Sequence, residues 1–270
     1  MGRVNLLLEL KNIKKIFNEG TLDEKIALNH INLSLEKGDF VTIIGSNGAG
    51  KSTLMNIISG LLSPDAGNVI IHGKDVTNIP EYKRSKMIGR VFQDPMAGTA
   101  PSMTIEENLA LAYARNKKRT LSLGVTKKRR EFFRESLASL NLGLEERLNA
   151  KIGLLSGGER QAISLLMATF TEPDILLLDE HTAALDPNRA QLITELTKQI
   201  VKKYGLTTLM VTHNMQQALD LGNRLIMMDD GKIILDINEA RKNQLTIDDL
   251  LIEFQRIRGE KLVTDRTLLA

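Results

Sequence analysis

The chain has 270 residues, 42% of them hydrophobic and 26% charged, which is typical of a folded globular protein and excludes a disordered one. Cysteine is absent, so disulfides, thiolate catalysis and cysteine-ligated zinc are excluded. No apolar run approaches the about 20 residues of a membrane-spanning helix, and no secretory signal is expected at the start. The net charge is only +3, and the length fits either one large domain with lobes or two small domains.

Strand-like and helix-like segments alternate along the chain. The apolar patterns predict strands at Leu6–Phe17, Ile26–Leu35, Asp39–Gly45, Asn68–Ile71, Ile175–Leu178, Leu206–Thr212, Leu225–Met228 and Ile233–Leu235, the last two joined as a hairpin. Helices are predicted from Lys51 to a breaker at Ser63–Asp65, through Ile105–Leu142 with an interruption at Leu121–Thr126, and after the capping-box-like Thr246–Asp249. The alternation predicts an α/β core with a parallel sheet, into which the helical middle is inserted.

A glycine-rich loop, Gly45–Thr53, joins the third predicted strand to a helix and fits the pattern G-x-x-x-x-G-K-[ST]. Its glycines let backbone N–H groups close around phosphate oxygens, and the helix N-terminus adds a favourable dipole. Lys51 is expected to bind the β- and γ-phosphates, and Ser52 to coordinate Mg²⁺. The pattern in this context therefore predicts a nucleoside triphosphate site.

A basic segment follows in the helical middle. Arg115–Glu135 holds nine Lys or Arg and two Glu, a local net charge of +7. Such a segment suits anionic lipid headgroups, acidic loops of a partner or nucleic acid, and it is equally consistent with a solvated loop and a charged helix start. Its two aromatic residues, Phe132 and Phe133, are expected to be core anchors, not stacking platforms, so nucleic acid is the weakest of the three.

The segment Asp174–Glu180 (DILLLDE) is a buried strand that ends in two acids. Asp179 is expected to bind the metal at the carboxyl edge of the sheet, where ligands of open α/β sheets lie. Glu180 is expected to orient and deprotonate the attacking water. The alternative is that the two acids are simply solvated at a strand end. Together with the glycine-rich loop, however, this segment predicts Mg²⁺-dependent hydrolysis of the nucleotide.

Leu155–Gln161 (LSGGERQ) resembles the signature of ATP-binding cassette (ABC) ATPases. Further matches follow in family order, and they are Phe17, Gln93, Ala184–Asp186 and His213. The resemblance covers roughly residues 6–255. It implies a P-loop NTPase fold with a RecA-like parallel core, an N-terminal antiparallel β subdomain and an inserted α-helical signature subdomain.

The resemblance also implies roles for the matched residues. Nucleotide contacts are expected from Phe17, Gly45, Ser46, Asn47, Gly48, Ala49, Gly50, Lys51, Ser52, Thr53, Ser156, Gly157, Gly158 and Asp186. Mg²⁺ is expected at Ser52, Gln93 and Asp179, and the catalytic residues at Glu180, His213, Gln93 and Lys51. Phe17 would stack on adenine, and His213 would hydrogen-bond the γ-phosphate.

The helix start at Ser156–Gly158 is a second anion site in the same chain. One chain cannot use both anion sites on one nucleotide if they lie on different lobes. The family solution is a head-to-tail homodimer, or a pseudo-dimer with a second cassette, in which each ATP lies between one phosphate loop and the partner's signature.

Two positions depart from the family pattern. His181 follows Glu180 where the family usually has proline, which adds a titratable group beside the proposed base; only tuning of hydrolysis is expected. Glu159 occupies a signature position where glutamine is common, and the change conserves shape.

The resemblance favours the ATPase subunit of a bacterial importer, which acts with separate integral membrane permease subunits and, indirectly, with a solute-binding protein. Residues 89–96 and 178–187 resemble a subgroup associated with solute-binding proteins of the tryptophan/tyrosine type, so uptake of a small organic solute such as an amino acid is expected. The alternatives are a force-transmitting membrane complex and a soluble ABC protein in DNA or ribosome work.

The expected location is the cytoplasmic face of the membrane, as a peripheral subunit. The expected ATPase domain spans residues 1–245, with a core lobe at about 1–93 and 164–245 and a helical lobe at about 94–163. Residues 246–270 are expected to form a C-terminal helix and tail.

Overall fold

The computed structural model describes residues 6–115, 117 and 124–258. Its elements, in chain order, are β1 (Leu6–Phe17), β2 (Lys25–Glu36), β3 (Phe40–Gly45), α1 (Lys51–Ser59), β4 (Ala66–Ile71), β5 (Lys74–Asp75), α2 (Glu81–Arg84), β6 (Ile88–Val91), α3 (Ile105–Tyr113), α4 (Lys127–Ala138), α5 (Gly157–Thr169), β7 (Ile175–Asp179), α6 (Pro187–Tyr204), β8 (Thr207–Val211), α7 (Met215–Asp220), β9 (Arg224–Asp229), β10 (Lys232–Asn238), α8 (Glu239–Lys242) and α9 (Ile247–Arg258). The first half of the predicted interruption, residues 121–123, lies outside this description, as do Lys118 and Arg119 of the basic segment and the tail after α9.

The chain divides into two compact units. Unit 1 comprises Met1–Arg84 and Thr207–Ala270, and unit 2 comprises Ser85–Leu206. The glycine-rich loop and His213 therefore belong to unit 1, whereas the signature and the two acids at the end of β7, Asp179 and Glu180, belong to unit 2. The lobe boundaries expected from the sequence stay a prediction.

An antiparallel sheet with the strand order β2-β1-β4-β5 lies in unit 1. Leu10 of β1 pairs with Leu33 of β2 and with Val69 of β4, and all three side chains are buried. The pairing of β1 with β2 shifts register between Leu10 and Ile13, as at a β-bulge. The sheet confirms the predicted N-terminal antiparallel subdomain.

The second sheet of unit 1 has the order β10-β9-β3-β8. β3 is buried along its whole length and lies parallel to both β8 and β9, which explains its continuous apolar sequence. β9 and β10 form the predicted hairpin. Asp230 and Gly231 in its two-residue turn both have positive φ, 45° and 70°, as a tight type I′ turn requires.

Helix α1 follows β3 and ends earlier than the predicted breaker at Ser63–Asp65, because Gly60 caps it in the left-handed region with a φ of 84°. Arg84 is 1% exposed. It donates hydrogen bonds to four backbone carbonyls, those of Ile57, Ile58, Thr77 and Ile79. The first two are among the last carbonyls of α1, where a cation is favoured by the helix dipole.

In unit 2, β6 and β7 pair in parallel, and helices α3 to α5 lie between them in the chain. Tyr113, Phe132, Phe133 and Phe170 form an aromatic cluster with ring centroids 5.4–6.5 Å apart. Phe133 is fully buried, as predicted for a core anchor, whereas Phe132 is 40% exposed at the edge of the cluster. The predicted helical insertion between strands is confirmed.

Helix α9 begins with the predicted capping box. The backbone N–H of Thr246 donates to the Asp249 carboxylate, and the N–H of Asp249 donates back to the Thr246 hydroxyl. Among the helices in the described ranges, none combines the length and hydropathy that a membrane span requires.

Candidate functional site

The glycine-rich loop packs tightly against its neighbours. A side chain at Gly45 would place its Cβ 2.1 Å from the carbonyl oxygen of Met228, on the adjacent strand β9. At Gly50, which has a φ of 96°, a Cβ would lie 2.3 Å from the carbonyl oxygen of Ala27. Backbone cannot move aside as a flexible side chain can, so glycine is required at both positions for steric reasons.

The buried side chain of Lys51 lies across this loop. Its Nζ donates to the carbonyl oxygens of Gly45 (2.8 Å) and Ser46 (3.1 Å). No side chain caps the N-terminus of α1, and its first turn carries no acidic residue. A lysine ammonium beside an uncapped helix start is the donor set that binds phosphate oxygens, so the residues present fit a nucleotide's phosphates.

The end of β9 and the turn after it contact the glycine-rich loop through two hydrogen bonds. The Ser46 hydroxyl donates to the Asp229 carboxylate at 2.6 Å, and the N–H of Gly231 donates to the carbonyl of Ala49 at 3.2 Å. The sequence pattern placed Asp229 only in the connection between the two predicted hairpin strands, Leu225–Met228 and Ile233–Leu235. The available signal was its place at the end of a strand, where β9 runs parallel to β3.

His213 follows β8, and β8 runs parallel to β3, so the half-buried His213 lies at the same sheet edge as the glycine-rich loop. Its neighbours in the chain are held firmly. The Thr212 hydroxyl donates to the side chain of Gln217 at 2.6 Å, and the Asn214 side chain caps α7 through the Gln217 N–H. Sequence reasoning missed this support around the predicted histidine.

Phe17 ends β1 and is half-buried, with the Lys15 ammonium 5.8 Å from its ring centre. Its predicted stacking on adenine stays a prediction.

In unit 2, the parallel register pairs Val91 with Leu178. The exposed Gln93 therefore follows β6 at the edge where β7 ends in Asp179. Its expected contact with Mg²⁺ stays a prediction. Arg90 on β6 was not predicted to take part. Its Nη2 lies 3.0 Å from Oδ2 of Asp179, and its guanidinium lies 4.7 Å from the Phe92 ring centre.

Glu180, the proposed base, is half-buried and has a φ of 47°, in the left-handed region that residues other than glycine seldom adopt. The next residue, His181, points into unit 2 and is 2% exposed. Burial lowers the pKa of His181 from 6.5 to about 4, so its ring is neutral at pH 7. The expectation of a titrating group beside the base is therefore corrected.

The signature starts α5. Ser156 is the N-cap, and it forms a capping box with Glu159, which accepts from the Ser156 N–H at 2.7 Å. This confirms the predicted Ser-capped helix start. The extra negative charge of Glu159 is paired with Arg147 at 2.6 Å. The glutamine that is common at this position in the family carries no charge and needs no such ion pair.

Asp186 is the N-cap of α6 and accepts from the N–H of Arg189 at 3.2 Å. Its carboxylate also pairs with the Arg189 guanidinium at 3.3 Å. Its expected contact with nucleotide stays a prediction.

Comparisons with known proteins agree on one family. The family model described as ABC transporter matches residues 28–183. The tyrosine transport ATP-binding protein of Clostridioides difficile is 43% identical over 249 residues, which are 92% of this chain and 99% of that protein. The chain belongs to the ABC transporter family. The resemblance stated from its motifs is therefore confirmed.

Two further matches extend this result. The xylose/arabinose import ATP-binding protein of Sulfolobus acidocaldarius is 35% identical and covers 92% of the cassette and 94% of its own length. A solved dimeric ATP-binding cassette in a post-hydrolysis state, bound to ADP and phosphate, is 32% identical with a TM-score of 0.75, over 86% of this chain and 99% of that one. The P-loop cassette fold is confirmed, and the cassette is an ATP-hydrolysing subunit that powers solute transport.

Proposed function

We propose that this ABC cassette powers the uptake of an amino acid of the tyrosine class through separate transmembrane subunits. The observation that carries the proposal is the match with the tyrosine transport ATP-binding protein over nearly the whole of both chains. The stretches at residues 89–96 and 178–187 support it, because they resemble the subgroup associated with tryptophan/tyrosine-type solute-binding proteins.

The glycine-rich loop takes the phosphates of ATP. Lys51 and the N–H groups at the start of α1 stabilise negative charge on the β- and γ-phosphates. Ser46 shapes the loop through Asp229. Ser52 and Asp179 offer oxygen ligands, which Mg²⁺ prefers, and Gln93 is the third proposed ligand. When bound, Mg²⁺ supplies charge neutralisation on the phosphoryl group.

Hydrolysis is assigned to Glu180, which orients the attacking water and accepts its proton. His213 hydrogen-bonds the γ-phosphate and helps to place that water. Phe17 stacks on the adenine ring, and Asp186 contacts the nucleotide site. Support for these assignments is the order of the motifs along the chain, together with the positions of Phe17, Glu180 and His213 at strand ends.

The second anion site points to a dimer. Ser156, Gly157 and Gly158 begin a helix whose N-terminus would bind the γ-phosphate of a nucleotide held by another copy. The similar solved cassette in the ADP-bound post-hydrolysis state is dimeric, which supports a dimer here, and we propose that its two copies are arranged head to tail. ATP then acts as a ligand of the closed state and shifts the equilibrium towards it.

The membrane partner is an integral permease. A solute-binding protein is an indirect partner, because it acts through that permease. Residues 94–107, directly after Gln93, form the proposed docking segment, and the cassette lies at the cytoplasmic face of the membrane. Motion passes from Gln93 through this segment to the permease.

A pull-down from native membranes tests the assembly. Glu180→Gln in MgATP traps the ATP-bound dimer, and Lys51→Ala is the matched control because it weakens nucleotide binding. We expect an integral membrane protein to co-purify with the first variant and not with the second. A soluble or nucleic-acid partner alone would overturn the transporter assignment and leave the ATPase chemistry standing.

The solute is tested by uptake of radiolabelled tyrosine in the native host after deletion of the gene. Wild-type protein should restore uptake and Glu180→Gln should not. If deletion leaves tyrosine uptake unchanged and the wild-type gene restores uptake of a different class of solute, only the solute assignment is contradicted.

A further inference from the structure

His181 stands where the resembled family usually has proline, and it makes a buried hydrogen bond. Its Nε2 lies 3.0 Å from the hydroxyl oxygen of Thr197 on α6. His181 is 2% exposed and Thr197 is fully buried. A buried polar pair of this kind is costly if it is not satisfied, so the bond holds the end of β7 against α6.

The direction of this hydrogen bond follows from its second partner. The Thr197 hydroxyl lies 2.8 Å from the carbonyl oxygen of Ile193, one turn earlier in α6, and donates its single hydrogen there. The Thr197 oxygen must therefore accept from His181, which places the ring hydrogen on Nε2.

Glu180 is held between two fixed points. On one side, Asp179 ends the buried strand β7 and pairs with Arg90. On the other side, His181 is anchored to α6. The carbonyl of Glu180 also accepts from the N–H of Ala183 at 3.0 Å, and its φ of 47° is an unfavourable conformation for a residue with a side chain. Such a conformation persists only where the surroundings determine it.

We propose that His181 is a positioning residue that, through its hydrogen bond to Thr197, holds Glu180 in the backbone conformation in which its carboxylate meets the attacking water. This inference rests on the proposed role of Glu180. A proline ring would restrict the chain at this position covalently, by fixing its own φ. The histidine achieves a comparable restraint through a side-chain hydrogen bond to the neighbouring helix.

The test is a variant series in the purified full-length protein. His181→Leu removes the donor, and Thr197→Val removes the hydroxyl with little change in shape. His181→Gln keeps an N–H at a comparable reach, and Thr197→Ser keeps the hydroxyl. Steady-state ATPase kinetics give kcat and KM separately, thermal melting reports folding, and MgATP binding is measured alongside.

We expect kcat of His181→Leu and Thr197→Val to fall by about tenfold to a hundredfold, the loss that a small misplacement of a catalytic group causes, with KM changed by less than about twofold. His181→Gln and Thr197→Ser should recover most of the rate. Adding Thr197→Val to Glu180→Gln should cause no further loss in single-turnover hydrolysis, because the threonine acts through Glu180.

Unchanged kcat in Thr197→Val would overturn the inference, as would a loss that His181→Gln and Thr197→Ser do not recover. Thr197→Val keeps the test decisive if His181→Leu does not fold. The proposed function has a separate readout, because failure of the wild-type protein to hydrolyse ATP would contradict that function itself. An active wild-type protein with insensitive variants would remove only the role of His181.

Discussion

Arg90 and Asp179 form a nearly buried ion pair, with 3.0 Å between Nη2 and Oδ2 and side chains only 10% and 12% exposed. A carboxylate proposed as a Mg²⁺ ligand is thus matched by a protein cation in its own unit. Because an uncompensated buried charge is costly, Arg90 stabilises the Asp179 carboxylate whenever no metal ion does so.

The first prediction concerns this pair. Arg90→Met should destabilise the protein by about 3 kcal/mol in EDTA, the cost of breaking a buried pair by removing one partner. The deficit should shrink in saturating MgADP, because Mg²⁺ at its proposed ligand Asp179 would supply the missing positive charge. Urea denaturation in both conditions measures it, with Arg90→Lys as the control that keeps the charge. A deficit of equal size in both conditions would contradict this role.

A second prediction concerns the brace of the glycine-rich loop. Ser46→Ala removes the donor to Asp229, so the loop loses an ordering contact and ATP binding should weaken by about fivefold, the equivalent of one net hydrogen bond. Titration calorimetry with MgATP checks this. Asp230→Asn is the matched control, since it changes a neighbouring acid that does not bond to Ser46 and asparagine tolerates the left-handed turn. Equal loss in both variants would point to a general charge effect.

A third prediction concerns the charge at the signature. Arg147→Gln leaves the Glu159 carboxylate unneutralised at a proposed anion site, so the ATP-dependent dimer should weaken by about two- to threefold, a small effect because the pair is partly exposed. Adding Glu159→Gln should restore it. Sedimentation with MgATP, in a Glu180→Gln background, compares the dimerisation of Arg147→Gln with that of the variant that also carries Glu159→Gln. If the second substitution does not restore dimerisation, Arg147 does not act by neutralising Glu159.

A fourth prediction concerns pH. The buried Lys242 ammonium donates to the carbonyls of Leu221 and Gly222, just beyond α7, and burial lowers its pKa from 10.5 to about 8. Between pH 8 and 10.5 the unfolded chain holds a proton that the folded chain has released. Stability therefore rises with pH through this window, and the gain is lost as pH falls to 8. The urea midpoint of the wild-type protein, relative to that of Lys242→Met, should rise from pH 8 to pH 10. A flat difference would show that Lys242 keeps an ordinary pKa.

Sequence reasoning found the residues whose chemistry is indicated by short local patterns. The glycine-rich loop, the acids at the end of β7 and the capped signature each lie within one short segment, and strand periodicity places the first two at strand ends. Their supports were missed because each joins residues far apart in the chain. Ser46 and Asp229 are separated by 183 positions, and Arg90 and Asp179 by 89. Only the parallel pairing of buried strands brings such partners together.

His181 shows a second kind of limit. The missing proline was visible in the sequence, but the buried location of the ring was not, because a histidine after a strand can face solvent or core with equal local propensity. The hydrogen bond to Thr197 depends on how α6 packs, and side-chain packing of that kind has no signature in a pattern of apolar residues.

The turn of the β9–β10 hairpin has a consequence for dynamics. Its Gly231 donates to Ala49 in the glycine-rich loop and accepts from the N–H of Asn29 on β2 at 2.8 Å. These two hydrogen bonds form a short backbone relay from the phosphate-binding loop to the antiparallel sheet. Ordering of the loop by a nucleotide should slow hydrogen exchange at the amides of Gly231 and Asn29 as well as in the loop. Occupancy of the loop would then be readable in β2 as well as in the loop itself.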